Sequence, residues 1–94
     1  MRKYRRIHHQ DLDGRGNITP IIDMQATGMN IFRLRENAGI SVPDLQKGLG
    51  LASPQAIYRW QRGETVPSVD HLLILAHIFG VTMDDIIVTK YIDI

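Results

Sequence analysis

Between Gln55 and Arg62, polar and cationic side chains recur at helical spacing, with Ile57 and Trp60 set between them. Glutamine can make two hydrogen bonds to the edge of an adenine and arginine can do the same to a guanine, so Gln55 and Arg59 suit base reading in a duplex. Each such pair supplies roughly 1–3 kcal/mol of discrimination. Ala56 is small enough to touch a thymine methyl. Arg62, Lys47 and Tyr58, with the backbone amides at helix starts near Ser41 and Ser53, suit phosphate oxygens. Plainer uses compete: Arg59 following the backbone alone, Tyr58 stacking on Arg35 or Phe32, and Gln55 capping its own helix.

Such side chains act together only if one helix presents them from a packed body. The stretch Ser41–Gly63 reads as two short helices, Pro43–Gly48 and Pro54–Gln61, joined by a turn at Leu49-Gly50-Leu51-Ala52. Pro43 and Pro54 fall where a first-turn proline is tolerated, because the amide hydrogen it lacks would have no intrahelical partner. Ser41 and Ser53 precede them as caps. Burying Ile57 and Trp60 leaves Gln55, Tyr58, Arg59 and Arg62 on the outer side, a face able to enter a major groove.

The remaining chain supplies the body. The 94 residues suffice for one modest core. A helix opening at Thr27 or Gly28 runs to Ala38 and stops at Gly39, with Ile31, Leu34 and Ala38 facing inward and Ile40 just beyond. Leu45 and Leu49 form the apolar stripe of the next helix. Ser68 caps a helix through Phe79, ended by Gly80, with Val69, Leu72, Leu75, Ala76 and Phe79 inward. That leaves Ile74, Ile78 and, at the border, Leu73 as an outer contact strip. Thr82 starts a last helix through Ile87, with Asp84 and Asp85 in its first turn. Residues 1–26 read as a basic arm broken by the turn-rich Asp13–Asn17, with a short strand or hairpin within its reach; residues 27–88 read as the domain. The tail from 89 onward, following Val88, alternates like a strand.

The formal net charge of +1 conceals a division. Arg2, Lys3, Arg5, Arg6 and Arg15 exceed the acids of the arm, and Arg33, Arg35, Lys47, Arg59 and Arg62 exceed Glu36 and Asp44. Beyond Gly63 only Lys90 stands against Glu64, Asp70, Asp84, Asp85 and Asp93. A basic front and an acidic back fit a protein with one face toward phosphate.

Taken together, these residues resemble the Cro/repressor-type, XRE-like helix-turn-helix family. The resemblance spans about Gly28 to Ile87: Gly28-Met29-Asn30-Ile31, Leu34-Arg35-Glu36, Gly39-Ile40-Ser41, Leu45, Leu49-Gly50, Ile57, Trp60, Arg62-Gly63, Pro67-Ser68, Leu72, Leu75-Ala76, Phe79-Gly80-Val81 and Met83-Asp84-Asp85-Ile86-Ile87. It implies an all-α, five-helix lambda-repressor-like domain that binds double-stranded DNA as a transcriptional regulator. The family's phosphate-touching glutamine is Val42 here, its small alanine between the two motif helices is Gln46, and the turn before Ile57 is one residue longer. The glutamate that usually follows the tryptophan is Gln61, so its partner Arg35 is expected to make a hydrogen bond in place of a salt bridge.

One such domain has a small footprint, so a homodimeric repressor on a two-fold symmetric operator is expected, with half-sites about 10 base pairs apart. Ile74, Ile78, Val88, Tyr91 and Ile92 are its expected interface. Rival readings are an antitoxin or other module whose tail holds a second protein, and a motif that has lost DNA binding. An enzyme is not expected: His71 and His77 are six apart rather than four, and His8-His9 sits in the polar arm. Neither a cofactor nor a metal site is expected. Without cysteine or a long apolar run, and with no apolar stretch after Met1-Arg2-Lys3, the expectation is a soluble cytoplasmic protein.

Overall fold

A computed structural model describes residues 18–93. The arm's basic cluster (Arg2, Lys3, Arg5, Arg6, Arg15), His8-His9, the stretch Tyr4–Leu12 and the turn Asp13–Asn17 lie outside those residues, as does Ile94. In chain order the elements are β1 (Ile18–Ile22), α1 (Met24–Asn37), α2 (Val42–Leu49), α3 (Gln55–Gln61), α4 (Val69–Phe79), α5 (Met83–Ile86) and β2 (Thr89–Asp93).

Each helix sends one aliphatic side chain fully out of solvent: Ile31, Leu45, Ile57, Leu75 and Ile86, in order. Val42, Leu49, Trp60, Leu72 and Ala76 close around them. Complete burial of one such side chain is worth about 1.5–3 kcal/mol, so helices too short to persist alone are held by the core they share.

Local chemistry sets most helix ends. The Ser41 hydroxyl accepts from the Asp44 amide at 3.2 Å, and Gly50, at φ 69°, closes α2. Ser68 accepts from the His71 amide at 3.2 Å at the start of α4, which ends at Gly80. Thr82 and Asp85 form a reciprocal capping box, each side chain accepting from the other's backbone amide at 3.1 and 3.0 Å.

Four local expectations are corrected. Helix α1 begins at Met24, not at Thr27 or Gly28, because Asp23 caps it: its carboxylate accepts from the Ala26 amide at 3.0 Å. Ala38 is the exposed C-cap of α1 and lies outside the core. On α4, Val69 is 73% exposed, while Ile74 and Ile78 pack against the core. Gly48 permits this, since a Cβ there would lie 2.9 Å from Cδ1 of Ile78. Helix α3 starts at Gln55, one residue after Pro54, and Pro54 makes no side-chain cap bond.

The two ends of the described chain meet. Strands β1 and β2 pair antiparallel, from Ile18 opposite Asp93 to Ile22 opposite Thr89. Residues directly opposite share a face, so Ile18, Pro20, Ile22 and Tyr91 lie on one side and Ile21 and Ile92 on the other. The ribbon is fastened to α1 by Val88. Its carbonyl accepts from the Asp23 amide at 2.8 Å and from the Thr27 hydroxyl at 3.3 Å, and its amide donates to Thr27 Oγ1 at 2.9 Å.

Candidate nucleic-acid interface

The site is organised by a seam between α1 and the end of α3. A Cβ at Gly28 would stand 2.0 Å from the Trp60 carbonyl oxygen and 3.1 Å from that of Gln61, so the two backbones touch where only hydrogen fits. Gly63, at φ 76°, extends the seam: a Cβ there would lie 2.8 Å from Gln25 Cγ and 2.9 Å from Gln25 Cα. Beside it, Arg35 is buried. Its Nε donates to Gln61 Oε1 at 3.1 Å and its Nη1 to the Ile40 carbonyl at 2.9 Å, while its guanidinium lies 5.4 Å from the Phe32 ring centre. The hydrogen bond expected of Gln61 is therefore present.

The inner side of α3 is fixed by Ile57 and Trp60, both buried. The Trp60 ring lies 5.9 Å from that of His71 on α4, tilted by 53°. Anchored from both sides, α3 keeps Gln55, Tyr58, Arg59 and Arg62 exposed. Gln55, Arg59 and Arg62 follow one another at four- and three-residue steps, the spacing of one helical face. Ala56 is half-buried against the core, at the margin of this face.

The turn before α3 carries its own clasp. The Gln46 carbonyl accepts from the Leu51 amide at 3.0 Å, and Gln46 Nε2 donates to the Leu51 carbonyl at 3.2 Å. Val42 turns into the core, so no polar side chain leads α2. Ser41 and Lys47 are exposed at opposite ends of that helix. Ser53 is exposed, and its hydroxyl lies 3.5 Å from the Gln55 amide, the outer limit of a hydrogen bond.

One feature of this face escapes sequence reading. Arg62 grips Glu64 through both ends of its fork, Nε to Oε2 at 2.6 Å and Nη2 to Oε1 at 3.3 Å. That hydrogen bond raises the Arg62 pKa and holds the Glu64 carboxyl below its usual range, with the charges of Arg62 and Arg59 adding to the latter. The available signal was a carboxylate two residues beyond an arginine, across a glycine.

The expected interface residues divide into two places. Ile74 and Ile78 pack on the core, whereas Tyr91 and Ile92 are exposed on the ribbon and Val88 is half-buried at its base. An open groove of about 1060 Å³, with Met29, Phe32, Asn30, Arg33, Ile87 and Val88 in its walls, lies against α1, α5 and the start of β2 and shares no residue with α2 or α3.

Five short helices on one core, the second and third joined by a tight turn, with the third presenting a polar face, define a helix-turn-helix domain. A family model described as Helix-turn-helix matches residues 31–86. The chain belongs to that family, in its XRE type, a class of DNA-binding transcription regulators. Among solved structures it is similar to the clp gene regulator ClgR from C. glutamicum, with 20% identity, a TM-score of 0.61, and coverage of 72% of this chain and 86% of the other. That likeness is one of fold. No curated protein matches the sequence. Among the described residues, no helix is long and apolar enough to cross a membrane.

Proposed function

We propose that the chain is a transcriptional repressor that binds double-stranded DNA sequence-specifically, as a homodimer on a two-fold symmetric operator. The supporting observation is the state of α3, locked by the Gly28 seam and by buried Ile57 and Trp60 while its polar face stays in solvent. In this reading Gln55 and Arg59 bond base edges and Ala56 meets a thymine methyl at the margin. Arg62, Lys47, Tyr58, Ser41 and Ser53 position the helix on phosphates.

The homodimer reading draws on the ribbon. A two-stranded ribbon alone is marginal in water, and among the described residues each strand has one edge without a partner strand. Ile18, Ile22, Tyr91 and Ile92 expose apolar surface on it. A second copy pairing there would cover that surface and set the spacing of two recognition helices.

Selection of bound sequences from a random duplex pool tests the whole reading. The expected product is a symmetric site with half-sites about 10 base pairs apart. Arg59→Ala then relaxes preference at one base pair, and Arg62→Ala weakens all sequences alike. Failure to enrich any sequence, or equal operator binding by wild type and a Gln55→Ala/Arg59→Ala variant, overturns base reading. Sedimentation as a monomer at tens of micromolar, with and without DNA, overturns the dimer, and a stoichiometric second protein purified from the native host assigns the ribbon to a different partner.

A further inference from the structure

We infer that Glu64 is a built-in competitor for DNA phosphate: its carboxylate occupies the Arg62 guanidinium in the unbound protein and must be displaced before Arg62 engages a duplex. The inference rests on the DNA-binding reading and adds a residue that lowers sequence-independent affinity.

The geometry carries it. A carboxylate and a phosphate each offer an arginine fork two anionic oxygens, and both ends of the Arg62 fork already meet Glu64. The two side chains are 54% and 51% exposed, so the pair sits on the accessible face rather than within the core. The Glu64 backbone is held in place by its own amide, which donates to the Arg59 carbonyl at 2.9 Å. Gly63 supplies the left-handed turn, at φ 76°, between the two partners. Arg59 also lowers the Glu64 pKa, which places the carboxylate in the field of both cations on this edge of α3.

The consequence is a uniform loss of affinity. Displacing Glu64 costs the same on every duplex, so matching and mismatched sites weaken by one factor and their ratio is unchanged. Only a site that also bonds Gln55 and Arg59 has further contacts to offset the cost.

The test measures binding of the full chain to a labelled mixed-sequence duplex across a salt series. Glu64→Gln is expected to bind about fivefold tighter at physiological salt, with a slope of log K against log salt steeper by about one, the effect of one more available cation. In an Arg62→Ala background the same substitution is expected to change affinity less than about twofold, because the partner whose release produces the gain is gone. Glu64→Ala, with an unchanged melting curve, should repeat the gain. Unchanged or weaker binding by Glu64→Gln overturns the proposal. An equal gain with and without Arg62 also overturns it, since that marks simple repulsion between Glu64 and DNA. If neither wild type nor Glu64→Gln binds any duplex at low salt, the DNA-binding reading itself falls.

Discussion

Adjacent residues of α1 serve two unlike contacts. Gly28 meets α3 backbone to backbone, while Thr27 meets the terminal ribbon through a pair of hydrogen bonds to Val88. The first contact is steric. It leaves no room for an added atom and therefore fixes α3 against the body without further adjustment. The second is polar, and the ribbon beyond it keeps Ile18, Ile22, Tyr91 and Ile92 exposed. One region presents side chains in a set geometry; the other is where the proposed homodimer would form.

Substitutions at the seam should have the largest effects. Alanine is favoured over glycine in a helix by roughly 1 kcal/mol, yet Gly28→Ala should destabilise the domain by about 3 kcal/mol, because its Cβ meets the immovable Trp60 carbonyl. Denaturant unfolding measures the loss, and unchanged or higher stability would mean that α1 and α3 separate freely. Next, Arg35→Ala removes the bonds to Gln61 and Ile40 and should cost about 2 kcal/mol. A loss below about 0.5 kcal/mol, the level of an ordinary surface change, would remove Arg35 from the seam.

On the ribbon side the effects should shrink. Thr27→Val keeps the buried shape but deletes both links to Val88, for a loss of about 1 kcal/mol, together with faster hydrogen exchange at the Val88 amide. Exchange unchanged at Val88 would show that the ribbon does not depend on α1. Smallest for the monomer is Ile92→Ala, at a side chain 43% exposed, which should shift unfolding of a dilute sample by no more than about 0.5 kcal/mol while lowering the sedimentation coefficient of the proposed dimer toward that of one chain. A large stability loss without change of assembly would reverse the contrast between the two regions.

The features read correctly from sequence were those written within a few residues. The caps at Ser41, Ser68 and Thr82 and the helix stop at Gly80 rest on bonds across three or four positions, whereas α2 runs past the expected Gly48 to its cap at Gly50. Ile31, Leu45, Ile57 and Leu75 announced themselves by helical spacing, whereas the four-residue α5 is too short to show a period that would single out Ile86. The Arg35–Gln61 hydrogen bond came from family resemblance, since nothing local joins residues on two separate helices. Ile74 and Ile78 misled because a helical wheel cannot say how wide the inner face is; that width depends on Gly48 admitting Ile78 from the neighbouring helix.

The exposed face of α3 followed from the sequence alone: once Ile57 and Trp60 go inward, Gln55, Arg59 and Arg62 go outward, because 3.6 residues complete a helical turn. Tertiary structure decided three other matters. It set Gly28 within α1 and against Trp60, gave β1 its partner at the far end of the chain, and brought the Glu64 carboxylate onto Arg62. Each depends on where a backbone turns in space: a glycine's missing Cβ and a strand's open edge acquire meaning only when another segment arrives beside them, and the Glu64 grip needs the left-handed turn at Gly63.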